Sequence, residues 1–211
     1  MSAVAANLPL ATATVGSGGS ATLTLVRHAQ PLVAPGRCYG ALDMPADATA
    51  TQQTAQALAQ QLPSGVQVIS SPLQRCELLA QYLEGLRTDL VYKTDARLVE
   101  MNFGSFEGQR WDSIDQQAYA AWTADFWQHR FGGLESVADV MARVASAWDE
   151  AVVLDQSQVW ITHAGVIRAA TLLSQGVRRI EQATDWPQAA PAFGQSVALA
   201  LRGQGVQPPI S

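Results

Sequence analysis

The sequence has few cysteines and few charged residues. Cys38 and Cys76 are its two cysteines, and neither lies in a Cys-x-x-Cys or His-rich spacing, so neither a zinc site nor a disulfide framework is indicated. Charged residues make up 15% of the chain and its formal net charge is −5. Nucleic-acid binding requires an excess of Lys and Arg to neutralise phosphates, and the composition argues against it. A reduced, cytoplasmic setting is the simplest prediction.

Long apolar runs and basic leader signals are also missing. No apolar stretch approaches the ~18 residues that a membrane span requires, so we expect no membrane contact. Residues 1–21 are rich in Ala, Thr, Ser and Gly and contain neither Lys nor Arg, whereas secretory and mitochondrial leaders need basic residues. We therefore expect a disordered leader over 1–21 and one domain over 22–211.

Strand and helix patterns alternate along that domain. The patterns predict strands over 23–26, 66–69, 90–92, 158–162 and 196–201, and helices over 49–62, 73–86, 111–129 (in one or two pieces), 136–154 and 164–173. Ser71 is expected to cap the second helix, with Pro72 in its first position. Strands that alternate with helices of ten or more residues indicate an α/β fold. We expect three layers, α/β/α, with a mostly parallel sheet and helices on both faces.

Cationic and imidazole side chains follow three of these strands. Arg27 and His28 come directly after the first strand, Arg75 follows the second by one helical turn, and His163 follows the fourth. The carboxyl ends of parallel strands meet at one edge of a sheet, where ligands bind. The four side chains are therefore expected to converge in a cationic pocket.

The natural ligand of such a pocket is a phosphate dianion. Arg27 and Arg75 can each donate two hydrogen bonds to phosphate oxygens, a geometry that Lys cannot match. The N–H groups of Ala164 and Gly165 begin a helix and would add donors. His163 could donate to the same oxygens if it is protonated. Phosphate binding is thus predicted to be confined to this one cationic pocket, although the chain as a whole is acidic.

The chemistry expected in this pocket is nucleophilic catalysis. A neutral His28 would attack phosphorus and form a phosphohistidine that water later hydrolyses. Its other ring nitrogen should donate to a backbone carbonyl, which we expect in the loop over 31–47. Glu100 is the favoured proton donor to the leaving alkoxide, because a nearby phosphate raises the pKa of a carboxyl group. Glu107 is the alternative, and either carboxylate could instead orient an arginine.

Four motifs in this order resemble the histidine phosphatase, or phosphoglycerate mutase-like, superfamily. They are Leu-Val-Arg-His-Ala at 25–29, Ser-Ser-Pro-Leu-Gln-Arg at 70–75, Glu100 with Phe-Gly-Ser-Phe-Glu-Gly at 103–108, and Thr-His-Ala-Gly-Val-Ile-Arg at 162–168. The resemblance implies that His28 is the phosphorylated nucleophile and that Glu100 is the proton donor. It also implies that Arg27, Arg75 and His163 bind the phosphoryl group, without a metal or cofactor.

Two segments, over 37–43 and 121–129, look most like α-ribazole phosphatases of cobalamin biosynthesis. This resemblance implies a hydrolase acting on a small phosphorylated substrate, α-ribazole 5′-phosphate. The alternatives are a phosphoglycerate mutase or a broad-specificity sugar phosphatase, and a compact middle region favours a phosphatase over a mutase. A non-catalytic phosphate-binding module is the alternative of another class. The sequence leaves the oligomeric state open.

The sequence departs from the family pattern near the nucleophile. The Asn often found six positions after it is Ala34 here, and Arg37 is the candidate replacement for that phosphate donor. Gln30, Arg37 and Tyr39 are the candidate substrate-binding residues of this region.

Other residues near the motifs are interpreted as structural. Arg168 lies about a turn beyond the phosphate-facing N–H groups and is predicted to be a structural partner. The helical spacing of Trp122, Phe126 and Trp127 is more typical of core residues than of a substrate platform. A flat heterocycle would nevertheless suit such a group through offset stacking.

Overall fold

A five-stranded sheet forms the centre of the protein. The structure, a computed structural model, describes residues 21–201, and the predicted leader lies outside them except for Ala21. The strands are β1 (Thr22–Arg27), β2 (Gln67–Ser70), β3 (Tyr92–Thr94), β4 (Gln158–Thr162) and β5 (Ser196–Ala200). Their order is β3-β2-β4-β1-β5. All neighbours pair in parallel except β5, which is antiparallel to β1, so the sheet is mostly parallel as predicted.

Helices cover both faces of this sheet. They are α1 (Ala48–Gln61), α2 (Gln74–Leu86), α3 (Gln116–Ala124), α4 (Val137–Leu154) and α5 (Ala164–Ser174). Successive strand residues point to opposite faces: Leu25 and Trp160 pack with α4 and α5, whereas Val26 and Ile161 pack with α1 and α2. The predicted three-layer α/β/α arrangement is confirmed. None of the helices within residues 21–201 is both long and apolar enough to cross a membrane.

Local chemistry sets the start of the longest helix, α4. Ser136 accepts a hydrogen bond from the N–H of Asp139, whose carboxylate accepts one from the N–H of Ser136. This reciprocal pair satisfies two backbone donors that a helix start leaves free. The helix then buries one apolar face, from Val137 to Ala151, against the sheet. Sequence patterning alone accounts for this element.

Two predicted elements differ from the structure by more than one residue at an end. The third strand begins at Tyr92 rather than at residue 90, because Leu90 is buried in a turn in which its N–H donates to the carbonyl of Arg87. The segment predicted to be helical over 111–129 contains a short 3₁₀ turn, Trp111–Ser113, and only the nine-residue α3. Asp115 caps α3 by accepting from the N–H of Gln117. Helical spacing of aromatic residues therefore overestimated the length of this helix.

The predicted capping role of Ser71 is wrong. Helix α2 begins at Gln74, and its N–H donates to the carboxylate of Asp43 at 2.8 Å. The hydroxyl of Ser71 instead lies 2.8 Å from the Nε2 atom of His163. A loop carboxylate distant in sequence caps the helix, and the hydroxyl of Ser71 contacts the histidine and accepts a hydrogen bond at 3.4 Å from the N–H of Leu73, which precedes the helix.

Candidate active site

A cavity of about 500 Å³ lies at the carboxyl ends of β1, β2 and β4. Its lining includes six residues selected from the sequence, namely Arg27, His28, Tyr39, Arg75, Glu100 and Ala164. His163 is fully buried next to them, and the centroid of its ring lies 5.1 Å from that of His28. The structure thus brings together residues from four separate motifs, as the positions of the strand ends predicted.

His28 is held as a single neutral tautomer. Its Nδ1 atom lies 2.7 Å from the carbonyl oxygen of Ala29. A carbonyl can only accept, so Nδ1 carries the proton and Nε2 keeps its lone pair. Burial, followed by the charges of Arg75 and Arg27, lowers the pKa of His28 from 6.5 to about 3. The imidazole is therefore neutral at neutral pH, with the lone pair of Nε2 free. The expected carbonyl comes from Ala29 rather than from the loop over 31–47.

Arg75 links the loop after β1 to His163. Its NH1 and NH2 groups donate to the carbonyls of Leu42 and Gly40 at 2.9 and 2.5 Å, and its Nε donates to Nδ1 of His163 at 3.3 Å. A guanidinium has five N–H donors, so two remain for a ligand. These contacts fix the guanidinium at the cavity wall even though the side chain is fully buried.

The protonation of His163 follows from the same contacts. Because Arg75 occupies Nδ1 as a donor, the ring proton lies on Nε2 and is donated to the hydroxyl of Ser71. Burial, then the charge of Arg75, lowers the pKa of His163 well below 6.5. A protonated His163 that donates to phosphate, as the sequence suggested, is opposed by this environment. In the observed geometry Nδ1 of His163 accepts a hydrogen bond from Arg75, and the contact of His163 with a phosphoryl group stays a prediction.

Arg27 is positioned by the segment that precedes β5. Its NH1 donates to the carbonyl of Pro191 at 3.0 Å, and its Cζ atom lies 3.9 Å from the centre of the Phe193 ring. Its Nε atom is buried without a hydrogen-bond partner. Burial lowers the pKa of Arg27, but from an ordinary value of 12.5 the side chain still stays charged. The guanidinium is therefore a fixed cation beside His28.

The two candidate carboxylates have different positions. Glu100 lines the cavity, and its Oε2 accepts from the N–H of Gly165 at 3.0 Å. Glu107 instead accepts from four backbone N–H groups, those of Gly40, Ala41, Leu42 and Phe103. Those bonds use the hydrogen-bond acceptor sites of the Glu107 carboxylate. They also hold the loop after β1, whose Gly40 and Leu42 carbonyls accept hydrogen bonds from Arg75. The geometry therefore favours Glu100 as the acid and gives Glu107 a structural part.

Aromatic and apolar side chains form the remainder of the wall. They are Met101, Phe103, Trp111, Trp122, Phe126, Val137, Val140, Ala183, Trp186 and Pro187. Phe131, which is fully buried, packs behind them against Phe103, Trp111 and Trp122. Phe126 is thus both a core residue and part of the cavity wall, whereas Trp122 and Trp127 are partly buried and pack against the core, and Trp122 also lines the cavity. The chamber beside the cations is suited to an apolar group.

Several cavity residues were not found from the sequence. Trp186, Pro187 and Gln188 line the cavity from a segment without regular structure, apart from one 3₁₀ turn at Ala183–Asp185. Phe193 holds Arg27 from the same segment. The only sequence signal of this segment is a Trp-Pro pair in a stretch rich in Ala and Pro. Such a signal identifies a loop but does not say where the loop lies in the fold.

The candidate substrate-binding residues are separated by the structure. Tyr39 lines the cavity, and its ring centre lies 5.8 Å from Cζ of Arg75. Arg37 is exposed and donates to the carbonyl of Gly108 at 2.8 Å, and Gln30 is also exposed. Neither belongs to the cavity lining, so Arg37 does not replace the missing Asn donor in this arrangement.

The charges of the cavity define its ligand. Arg27, Arg75 and Arg168 line it, and Glu100 is the one acidic side chain among the described residues that do so. The N–H of Gly165, at the start of α5, lies at the same wall, but it donates to Oε2 of Glu100 and is not left for a phosphate oxygen as the sequence predicted. Within residues 21–201, no group of three or more His, Cys, Asp or Glu side chains suits a metal ion. The guanidinium donors and their charges suit a phosphorylated anion bound next to His28.

Comparison with known proteins agrees with this chemistry. The family model of the histidine phosphatase superfamily (branch 1) matches residues 23–190. No curated protein is significantly similar to the chain.

Solved structures show the same fold. The mycobacterial glucosyl-3-phosphoglycerate phosphatase is 27% identical, over 75% of this chain and 81% of that one, with a TM-score of 0.65. Its complex with VO3 gives 26% identity over 86% and 91%, with a TM-score of 0.71. The protein TTHB049 from Thermus thermophilus is 29% identical over 84% and 92%, with a TM-score of 0.64. The similarity therefore includes a phosphatase and extends over most of both chains.

Proposed function

The chain belongs to the histidine phosphatase superfamily, and we propose on this basis that it is a metal-independent phosphomonoesterase that works through a phosphohistidine on His28. The observation that carries the proposal is the state of His28. Its Nδ1–H is fixed on a carbonyl and its Nε2 lone pair is free, next to two fixed arginines. A phosphate-binding module would not require this arrangement, because arginines and backbone N–H groups suffice for binding.

The first step transfers the phosphoryl group to the enzyme. The Nε2 lone pair of His28 attacks phosphorus while the bond from phosphorus to the leaving oxygen breaks. Arg27 and Arg75 bind the oxygens on which charge develops. Glu100, in its protonated form, gives its proton to the leaving oxygen, which departs as an alcohol. Phosphohistidine and an ionised Glu100 remain.

The second step releases phosphate. The carboxylate of Glu100 takes a proton from a water molecule, whose oxygen attacks phosphorus. The bond between phosphorus and Nε2 then breaks, and its electron pair returns to the imidazole. His28 and a protonated Glu100 are restored, so one carboxyl group serves as acid and then as base.

The test is phosphate release in the presence of EDTA by the wild type, His28→Ala and His129→Ala. His129 lies outside the cavity lining and provides a matched histidine control. We expect His28→Ala to lose at least about 10³-fold in kcat while inorganic phosphate still binds to the arginines. An acid-labile phosphoenzyme should be trapped only in proteins that retain His28. Near-normal activity of His28→Ala would contradict the mechanism.

The substrate has two candidates. The aromatic wall, with Trp122 and Trp186, supports α-ribazole 5′-phosphate, because a flat heterocycle can stack on such rings. Similarity to the mycobacterial enzyme supports glucosyl-3-phosphoglycerate. A panel of both compounds with 3-phosphoglycerate, sugar phosphates and p-nitrophenyl phosphate distinguishes them through kcat/KM. Isomerisation of 3-phosphoglycerate would indicate a mutase, and no turnover of any compound would indicate a binding module.

A further inference from the structure

One aromatic ring contacts both groups on which the proposed attack depends. Phe193 lies in the turn before β5, and the centre of its ring is 3.9 Å from Cζ of Arg27 and 5.4 Å from the centre of the His28 ring. Both separations are those of attractive contacts between an aromatic ring and a cation or a second ring. Consecutive residues of a strand point to opposite faces, but His28 lies beyond the end of β1. A single side chain therefore contacts the fixed cation and the nucleophile together.

The backbone holds Phe193 in this place. The N–H of Gly194 lies 3.1 Å from the carbonyl oxygens of both Arg27 and His28. The N–H of Arg27 in turn donates to the carbonyl of Gln195 at 3.0 Å. Gly194 has a φ of 73°, a conformation that glycine adopts without steric cost. The turn that carries Phe193 is thus tied directly to the two residues that its ring contacts.

The ring restrains Arg27 without using its charge or its donors. At 3.9 Å the guanidinium lies with its face on the ring, because an edge-on approach would bring a nitrogen atom too close to the ring carbons. Guanidinium N–H bonds lie in the plane of the group, so they stay available to oxygen acceptors such as the carbonyl of Pro191 and a phosphate. Within residues 21–201, Arg27 forms no ion pair. A carboxylate in place of the ring would neutralise the cation and occupy the N–H groups that phosphate needs.

The same ring limits the orientation of His28. The hydrogen bond from Nδ1 to the carbonyl of Ala29 fixes one edge of the imidazole, and rotation about that bond would swing Nε2 away from phosphorus. Phe193 and His163 pack near the imidazole, with planes tilted by 41° and 59° to it. Attack requires the lone pair of Nε2 to point at phosphorus, and small misalignments of a reacting group are costly. Packing by Phe193 therefore opposes the motion that would misdirect the nucleophile.

We propose that Phe193 is a positioning residue that holds the guanidinium of Arg27 and the imidazole of His28 in the relative arrangement required for attack on phosphorus. Phe193 is not among the described residues that line the cavity, so it acts through its two neighbours. The inference rests on the proposed function, since it concerns the nucleophile of the same reaction. The contribution of Phe193 should be larger in the transition state than in bound phosphate, because only the transition state needs both neighbours aligned.

The test compares the affinities of inorganic phosphate and vanadate, measured directly by titration. Phosphate requires the cations, whereas vanadate that bonds to a nucleophile becomes five-coordinate and mimics the transition state. Two variants without a ring, Phe193→Leu and Phe193→Met, are compared with the wild type and with Phe193→Tyr, which keeps the ring. Phe193 is only half-buried, so these variants should fold, and urea denaturation checks this. Tyr82→Leu is the matched control, because Tyr82 is a half-buried ring that packs against the core and lies outside the cavity lining.

The second measurement follows attack by His28 itself. Single-turnover release of p-nitrophenolate, with enzyme in excess over p-nitrophenyl phosphate and at saturation, reports the rate of phosphoenzyme formation. It does not depend on later hydrolysis of the phosphohistidine, and this leaving group needs little help from Glu100. The rate therefore isolates the alignment of His28 and Arg27 with phosphorus.

We expect the variants without a ring to lose about tenfold more affinity for vanadate than for phosphate, and to form the phosphoenzyme about tenfold more slowly. Phe193→Tyr should stay within about threefold of the wild type in both measurements, and Tyr82→Leu should match the wild type. Equal losses of vanadate and phosphate affinity, or a Tyr variant as impaired as the Leu variant, would overturn the inference while the proposed function stands. If the wild type released no p-nitrophenolate and no other phosphomonoester were turned over, the proposed function would fail and the inference with it.

Discussion

Replacing Gly165 with Ala tests the role of Glu100 in a specific way. A Cβ atom at this position would lie 2.2 Å from Oε1 and 3.1 Å from Cδ of Glu100. The carboxylate would have to withdraw by about 1 Å to restore a normal contact, and its hydrogen bond from the N–H of Gly165 would be weakened. Gly165 has an ordinary helical backbone, so Ala itself should favour the helix by about 1 kcal/mol. The substitution therefore moves the acid and leaves the fold intact.

The expected loss depends on the leaving group. A displacement of about 1 Å in a reacting group costs about 10²-fold in rate, or about 2.7 kcal/mol. An alkyl phosphate needs the proton from Glu100, whereas p-nitrophenolate leaves with little need for it. We measure kcat/KM, which reports the steps up to departure of the leaving group and is not affected by slow hydrolysis of the phosphoenzyme. Gly165→Ala should lose about 10²-fold with the alkyl phosphate and less than about fivefold with p-nitrophenyl phosphate.

Gly85→Ala is the matched control. Gly85 lies in α2, and nothing lies within 4 Å of a Cβ built on it. This variant should keep wild-type kinetics and be slightly more stable. Equal losses for the two substrates in Gly165→Ala would refute the reasoning, because the damage would then lie in phosphoryl binding. Unchanged kinetics with both would show that Glu100 is not the acid.

Two further predictions concern stability. Glu107→Gln should lower the free energy of unfolding by about 2 kcal/mol, because the amide keeps one accepting oxygen while its NH2 group would face two of the four backbone N–H groups that the carboxylate binds; an unchanged midpoint in urea denaturation would contradict this. The pKa values of His28 and His163 are lowered from 6.5 in the folded chain, mainly by burial. Below pH 6.5 the unfolded chain therefore binds protons that the folded chain does not. For each histidine, the free energy of unfolding should decrease by about 1.4 kcal/mol for every unit by which the pH is lowered. The free energy of unfolding can be measured by urea denaturation at several pH values between 7 and 5. It should change less steeply with pH for His28→Gln than for the wild type. Equal dependence on pH in the two proteins would oppose the burial of a neutral His28.

The sequence predicted the polar centre well and its surroundings poorly. Arg27, His28 and Arg75 lie at or just after the ends of parallel strands, and topology alone brings such positions together. The assignments of Ser71 and Arg37 were less successful, because each depended on which neighbour a side chain meets. Ser71 contacts His163 instead of capping a helix, and Arg37 points to the carbonyl of Gly108.

What the sequence by itself determined is the order of strands and helices and the chemistry at their junctions. Hydrophobic periodicity follows from local burial, so it specified a mostly parallel sheet with a histidine and arginines at one edge.

Only the tertiary structure decided how those groups are used. It gave the two carboxylates different surroundings through hydrogen bonds made by residues up to 67 positions apart along the chain, with Glu100 at the cavity and Glu107 on backbone N–H groups. It also brought the segment around Trp186 over the cavity. Such contacts depend on chain reversals whose geometry no local pattern encodes, so the part of the cavity wall formed by Trp186, Pro187 and Gln188 emerged only from the folded molecule.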